Sequence, residues 1–102
     1  MNVRVLEIAQ RELDEAVSYY NGQVAGLGDA FLLEAIAAIE RIRQFPDAWH
    51  PLGENLRRCR LRRFPYGLIY RAGESELLLV AVAHTHRRPG YWRDRLKASG
   101  GT

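Results

Sequence analysis

Three runs of the 102-residue sequence carry the side chains that could do chemistry. The first is Arg57 to Tyr70, RRCRLRRFPYGLIY. Read as an extended segment, it puts Cys59 and Leu61 on one face and Arg58, Arg60 and Arg62 on the other. Guanidiniums held on a sheet suit phosphate or carboxylate recognition, because each planar fork can bind bidentately. The second is His84-Thr85-His86-Arg87-Arg88, which pairs groups that exchange protons near neutral pH with further cations. The third is Tyr91-Trp92, two rings able to stack on a base or an apolar partner group. Each has a plainer role available as well. Arginines on an exposed strand discourage edge aggregation, and aromatics that follow a sheet commonly cover the edge of its core. His84-Thr85-His86 could begin a metal site, but only the distant His50 could complete it, so no metal and no cofactor is expected.

The elements that must hold these groups follow from periodicity. Val3 and Val5 alternate with Arg4, which predicts a first strand. Ala9, Leu13, Ala16, Val17 and Tyr20 recur at helical spacing from Ile8 to about Asn21, where Asn21-Gly22 offers a stop. Gly26-Leu27-Gly28 leads into a second helix. Asp29 sits in its first turn, Phe31, Leu32, Ala35, Ile39, Ile42 and Phe45 form its stripe, and Pro46 ends it. Helices joined by so short a link form an antiparallel hairpin that needs a sheet to cover. Residues 46 to 55 read as a loop anchored by Trp49. After the arginine strand the chain bends at Phe64 to Tyr66 and continues as Gly67 to Ala72, then turns at Gly73-Glu74-Ser75. Leu77 to Ala83 runs LLLVAVA, a strand covered on both faces. The fold class is therefore α+β: an N-terminal strand, a helical hairpin, a three-stranded antiparallel meander, and a short C-terminal helix or tail. One domain over residues 1–98 and a frayed tail over 99–102 are expected.

Composition bounds the partners. Fourteen arginines against the single Lys97 give a formal charge of +3, with the basic residues gathered in Arg57 to Arg71 and Arg87 to Arg95. Such clusters imply an anionic partner, nucleic acid or an acidic protein segment. A lone cysteine, Cys59, excludes an intramolecular disulfide and a cysteine-based zinc site, and on the apolar strand face it reads as a small hydrophobe. No apolar stretch is long enough for a signal peptide or a membrane span, so a soluble cytoplasmic protein is expected.

The order of these pieces resembles the RelE/ParE superfamily of toxins from bacterial toxin-antitoxin modules. The resemblance rests on Ala9, Glu12-Leu13 and Tyr19-Tyr20 in the first helix, Gly26-Leu27-Gly28 with Phe31-Leu32 opening the second, and Phe45-Pro46 closing it. Arg62-Arg63-Phe64-Pro65-Tyr66-Gly67-Leu68-Ile69-Tyr70, Val82-Ala83-His84, Arg87-Arg88-Pro89 and Tyr91-Trp92 are similar to its plasmid-stabilisation branch. The resemblance implies a growth-inhibiting toxin neutralised by an antitoxin whose acidic and apolar C-terminal segment wraps around it. It further implies either ParE-like poisoning of DNA gyrase or RelE-like, metal-free cleavage of messenger RNA on the ribosome. For cleavage, Arg60 and Arg62 would clamp phosphate, His84 or His86 would move a proton, Arg87 or Arg88 would stabilise the transition state, and Tyr91 would stack on a base. Many RNA-cleaving members carry arginine where this chain has Gly67, and a tyrosine or similar group near Trp92, whose indole does no acid–base work. That favours the gyrase-type reading, with Arg58, Arg60, Arg62, Arg87, Arg88, Tyr91 and Trp92 as target or antitoxin contacts. A third reading is a partner without toxicity, kept in an antitoxin-bound repressor complex.

Overall fold

The structure, a computed structural model, describes the backbone of residues 1–100 and the side chains of residues 1–97. Its elements are β1 (Asn2–Val5), α1 (Glu7–Gln23), α2 (Leu27–Gln44), β2 (His50–Gly53), β3 (Leu56–Arg60), β4 (Tyr66–Ala72), β5 (Glu76–His84) and α3 (Arg93–Gly100). The five strands form one sheet in the order β1-β5-β4-β3-β2. The expected meander is β3-β4-β5, with every neighbouring pair antiparallel, whereas β1 joins the outer edge of β5 in parallel. The sheet is therefore mixed. The tail expected over 99–102 begins inside the span of α3, and residues 101–102 lie outside the described residues.

Two boundaries differ from the periodicity for identifiable reasons. The stretch expected to be a loop contains β2, which pairs with β3 through His50↔Arg58, Pro51↔Arg57 and Gly53↔Leu56. Pro51 hides it in the sequence, yet an edge strand tolerates a residue without an N–H. Glu54 and Asn55, at φ 56° and 64°, close this hairpin in the left-handed conformation that two-residue turns demand. Helix α1 runs through Asn21-Gly22 to Gln23, so Asn21 does not stop it. The Asn21 amide instead reaches the start of α2, accepting from the Gly28 N–H at 2.7 Å and donating to Asp29 at 3.2 Å.

The hairpin covers one face of the sheet. Ala9, Ala16, Phe31, Ala38 and Ile42 pack on Cys59, Leu61, Phe64, Leu68, Tyr70, Leu77, Leu79 and Val82. Tyr20, Phe31, Phe64 and Tyr66 knot together there, with ring centroids 4.9–6.2 Å apart. Burial pushes the Cys59 thiol up, as suits an inert core residue. The opposite face is a second apolar cluster of Leu56, Ile69, Leu78, Val80, Ala81 and Ala83, covered by Trp92 with Leu6, Leu52, Tyr91 and Leu96. Strand β5 is thus buried on both sides, the physical reason for its unbroken apolar run. A bulge between the pairs Ile69↔Ala81 and Tyr70↔Leu79 leaves Val80 unopposed, so Val80 and Ala81 both join the second cluster.

Gly28 sets how closely the two helices approach. A Cβ there would lie 2.0 Å from the Val17 carbonyl oxygen, a backbone atom that cannot swing aside. Gly28→Ala is expected to cost about 1–3 kcal/mol of stability through overpacking. Gly22→Ala in α1, where a Cβ meets nothing within 4 Å, should instead stabilise by up to about 1 kcal/mol. Urea unfolding of the two variants beside the parent checks the contrast, and equal effects would contradict this account of the helix crossing.

Candidate functional site: the basic end of the sheet

The register of β3 fixes its arginines. Cys59 opposes Leu68 and faces the hairpin, whereas Arg58 and Arg60 oppose Ile69 and Gly67 on the other face. That face is not cationic throughout. It begins with fully buried Leu56 and becomes basic only towards Arg60. Arg62 lies beyond the strand, so the expected stripe of three reduces to Arg58 and Arg60. In the turn at 61–65, Glu34 of α2 accepts hydrogen bonds from the backbone N–H groups of Arg62 and Arg63 and from the Arg63 guanidinium. Burial pushes the Glu34 carboxyl up, but these donors outweigh it and hold the group below the ordinary carboxylate range. Gly67 leaves room for its neighbour: a Cβ there would come within 3.0 and 3.2 Å of the Arg58 side-chain methylenes.

The end of β5 and the turn after it face the same region. His84 is the last strand residue, and His86 donates its backbone N–H to His84 Nδ1 at 3.0 Å, with the two rings 5.1 Å apart. Tyr66 meets His84 edge-on at 5.0 Å. Arg87 lays its guanidinium 3.9 Å over the Tyr91 ring, while Arg88 is exposed. A hollow of about 70 Å³ gathers Arg58, Arg60, Gly67, His84, Thr85, Arg87 and Trp92 into one wall. On the other side of His84 and Arg87 lies an open cleft of about 340 Å³, lined by Glu12, Glu15, Tyr19, Tyr66 and Tyr91. Most of the residues singled out by type therefore do meet at one end of the sheet. Arg62, tied to the Glu34 turn by its backbone, lines neither space. Trp92 is 6% exposed and belongs to the second apolar cluster.

Two residues that the motif reading gave no role organise this end. Glu12 of α1 accepts from Arg95 Nη1 at 2.7 Å, Arg95 Nη2 at 2.8 Å, the Tyr91 hydroxyl at 2.7 Å and the Val82 backbone N–H at 3.0 Å. Arg95 also donates to the Val80 carbonyl at 3.0 Å. Both charged side chains are largely buried, at 14% and 12% exposure. Burial pushes the Glu12 carboxyl up, and the bonds from Arg95, Tyr91 and Val82 more than reverse this, leaving it below its ordinary value. The Tyr91 phenol is pushed up to about 12 by burial and by the Glu12 carboxylate beside it. No spacing rule finds a pair 83 residues apart, because only the folded topology brings α1 and α3 to the same strand edge. Among the described residues no group of three or more His, Cys, Asp or Glu is placed to hold a metal ion, and no helix is long and apolar enough to cross a membrane.

A mixed five-stranded sheet clad on both faces, with one arginine-rich end left uncovered, defines a small α+β domain with a basic surface. The family model for the ParE toxin of type II toxin-antitoxin systems, parDE, matches residues 3–89. The chain is 33% identical over 88 residues to Toxin ParE2 from each of two strains of Mycobacterium tuberculosis, covering 85% of this chain and 84% of the relative. A solved structure titled as a chromosomal ParDE TA system from P. aeruginosa superposes with a TM-score of 0.74 at 16% identity, over 82% of this chain and 95% of that one. The chain belongs to the ParE toxin family of type II toxin-antitoxin systems.

The depressed Glu12 carboxyl makes stability pH-dependent in a definite direction. Its folded value lies below the unfolded value near 4.5, so its contribution is fully present above about pH 4.5 and is lost as pH falls through the folded value. Glu12→Gln should cost about 1–3 kcal/mol at pH 7, because it leaves Arg95 without its carboxylate. The gap between variant and parent should narrow towards pH 3, as the parent protonates. Denaturant midpoints at pH 7 and pH 3.5 check this, and a gap that widens in acid would contradict the clamp.

Proposed function

We propose that this chain is the growth-inhibiting toxin of its module and that it acts by binding a target, DNA gyrase, through the basic end of the sheet. The observation that carries the reading is the uncovered arginine-rich end of the sheet, where Arg58, Arg60 and Arg87 gather. Tyr91 adds no acid–base group to it: its hydroxyl is donated to Glu12 and its pKa is pushed up to about 12, so it is poorly suited to exchange protons near neutral pH. The neighbouring Trp92 offers only an indole. What this end presents in quantity is positive charge on Arg58, Arg60, Arg87 and Arg88, which suits recognition of acidic groups. Family membership supports an antitoxin as the second partner. An acidic and apolar segment would find arginines here and, on the outer face of α2, Leu33 and Ile36 at 69% and 53% exposure. The setting for both partners is the cytoplasm.

One feature favours a second reading. The His84 and His86 rings lie 5.1 Å apart, and His84 shares the wall of the hollow with Arg60 and Arg87. A histidine-based ribosomal RNase would use that geometry, with Arg60 on the phosphate and His84 or His86 moving the proton.

Induced expression without antitoxin separates these readings when growth, DNA double-strand breaks and transcript integrity are followed in one culture. Gyrase poisoning gives arrest and DNA breaks with intact transcripts. It persists in His84→Ala and His86→Ala and falls at least about tenfold in potency when Arg58 and Arg60 are both changed to Glu. Codon-positioned transcript cuts that disappear with His84→Ala would overturn this in favour of cleavage. Healthy growth with soluble protein would leave the non-toxic partner of a repressor complex.

A further inference from the structure

Arg87 is held in a different way from Arg57, Arg93 and Arg95. Each of those three donates to a backbone carbonyl, and Arg95 also to the Glu12 carboxylate, so part of every guanidinium is already engaged. Arg87 is exposed, and among the described residues no carboxylate or carbonyl takes its guanidinium N–H groups. Its guanidinium carbon instead lies 3.9 Å from the centre of the Tyr91 ring. A cation held by a ring face is ordered without losing any of its five N–H donors. The chain builds this contact locally. Arg88-Pro89-Gly90-Tyr91 has the form of a type II turn, with Gly90 at φ 80° and the Tyr91 N–H donating to the Arg88 carbonyl at 3.3 Å. The Arg87 N–H is anchored to the His84 carbonyl at 3.1 Å, and the Tyr91 hydroxyl ends on Glu12 at 2.7 Å, so the ring is fixed at both ends.

We propose that Tyr91 is a positioning residue whose ring presets Arg87 as a target contact, a role that rests on the reading of this end of the sheet as the target surface. Tyr91 acts through Arg87 and not by touching the target itself. An arginine that is already ordered loses less side-chain freedom when a partner group arrives than one that must be ordered by it. A phenol whose proton is shared with a carboxylate also has a more electron-rich ring, which holds a cation more firmly. Glu12 therefore reaches the surface at second hand, through the ring that it fixes.

Two readouts test this, a ¹H–¹³C spectrum of the full-length labelled protein and inhibition of purified gyrase. The Arg87 Cδ protons, assigned with Arg87→Gln, are expected to show an upfield ring-current shift in the parent, to keep it in Tyr91→Phe and to lose it in Tyr91→Leu. Inhibition should weaken about three- to tenfold in Tyr91→Leu and at least as much in Arg87→Gln. Tyr91→Phe, which keeps the ring but not the bond to Glu12, should recover most of that loss. In the Arg87→Gln background, Tyr91→Leu should cost less than about twofold more, because the two residues act as one. Unshifted Arg87 protons in the parent overturn the stacking, and that reading requires no variant to fold. Losses that multiply in the double variant, or a Tyr91→Phe as weak as Tyr91→Leu, overturn the positioning role and leave Tyr91 as a contact in its own right. A parent that leaves gyrase untouched while Tyr91→Leu abolishes the Arg87 shift sinks the gyrase reading and spares the preset arginine. Inhibition by a parent whose Arg87 protons are unshifted does the reverse.

Discussion

The length of β1 is the constraint on which the rest of the structure depends. Its four residues pair with Glu76 to Leu79, and at Leu6 the chain leaves the sheet for α1, donating a last hydrogen bond to the Leu79 carbonyl. Beyond Leu79 strand β5 runs on to His84 with β4 on one side and, among the described residues, no strand on the other. Backbone groups on such an edge must find other partners. Glu12 takes the Val82 N–H and Arg95 gives to the Val80 carbonyl, so an ion pair stands where a sixth strand would otherwise be needed. The same pair ties the first helix to the last across the edge of the sheet. Tyr91 is fixed by its bond to Glu12, and Arg87 stacks on Tyr91, so the clamp also positions part of the basic end.

The two faces of the sheet divide the remaining work. The hairpin face is a continuous apolar and aromatic core, where even Tyr70 is fully buried and donates its hydroxyl to the Pro46 carbonyl. The second face is covered only over part of its area, by Trp92, Tyr91 and Leu96, with α3 further held by Arg93 to the Leu52 carbonyl and to Glu54. What that segment leaves uncovered is the end bearing Arg58 and Arg60. Charges held on rigid strands lose less entropy on meeting a partner group than the same charges on a tail.

Much of this was legible because local pattern and tertiary role agree. LLLVAVA could only be a strand covered twice, and the helical stripes that end at Asn21-Gly22 and Phe45-Pro46 placed both helices to within a few residues. Motif order along the chain pointed to the RelE/ParE superfamily, and the family match agrees. The sequence did not disclose features that depend on neighbours distant in the chain. Pro51 argued against a strand that exists because it lies on an edge. The alternation of Arg58, Arg60 and Arg62 ran past the true strand end, which Glu34 sets from another helix. The bulge at Val80 and the pairing of Glu12 with Arg95 had no local signature. Trp92 stood out for its chemistry, but only the packing shows it as a cover residue of the second apolar cluster.

The most direct test of the central claim, that this protein acts by binding through its basic end and without proton transfer, is a supercoiling assay with purified gyrase and the purified chain. The account predicts inhibition by the parent and by the His84→Ala/His86→Ala double variant at similar concentrations, with loss of inhibition in the folded Arg58→Glu/Arg60→Glu variant. Inhibition that survives the arginine reversal, or a parent that leaves gyrase untouched, would contradict it.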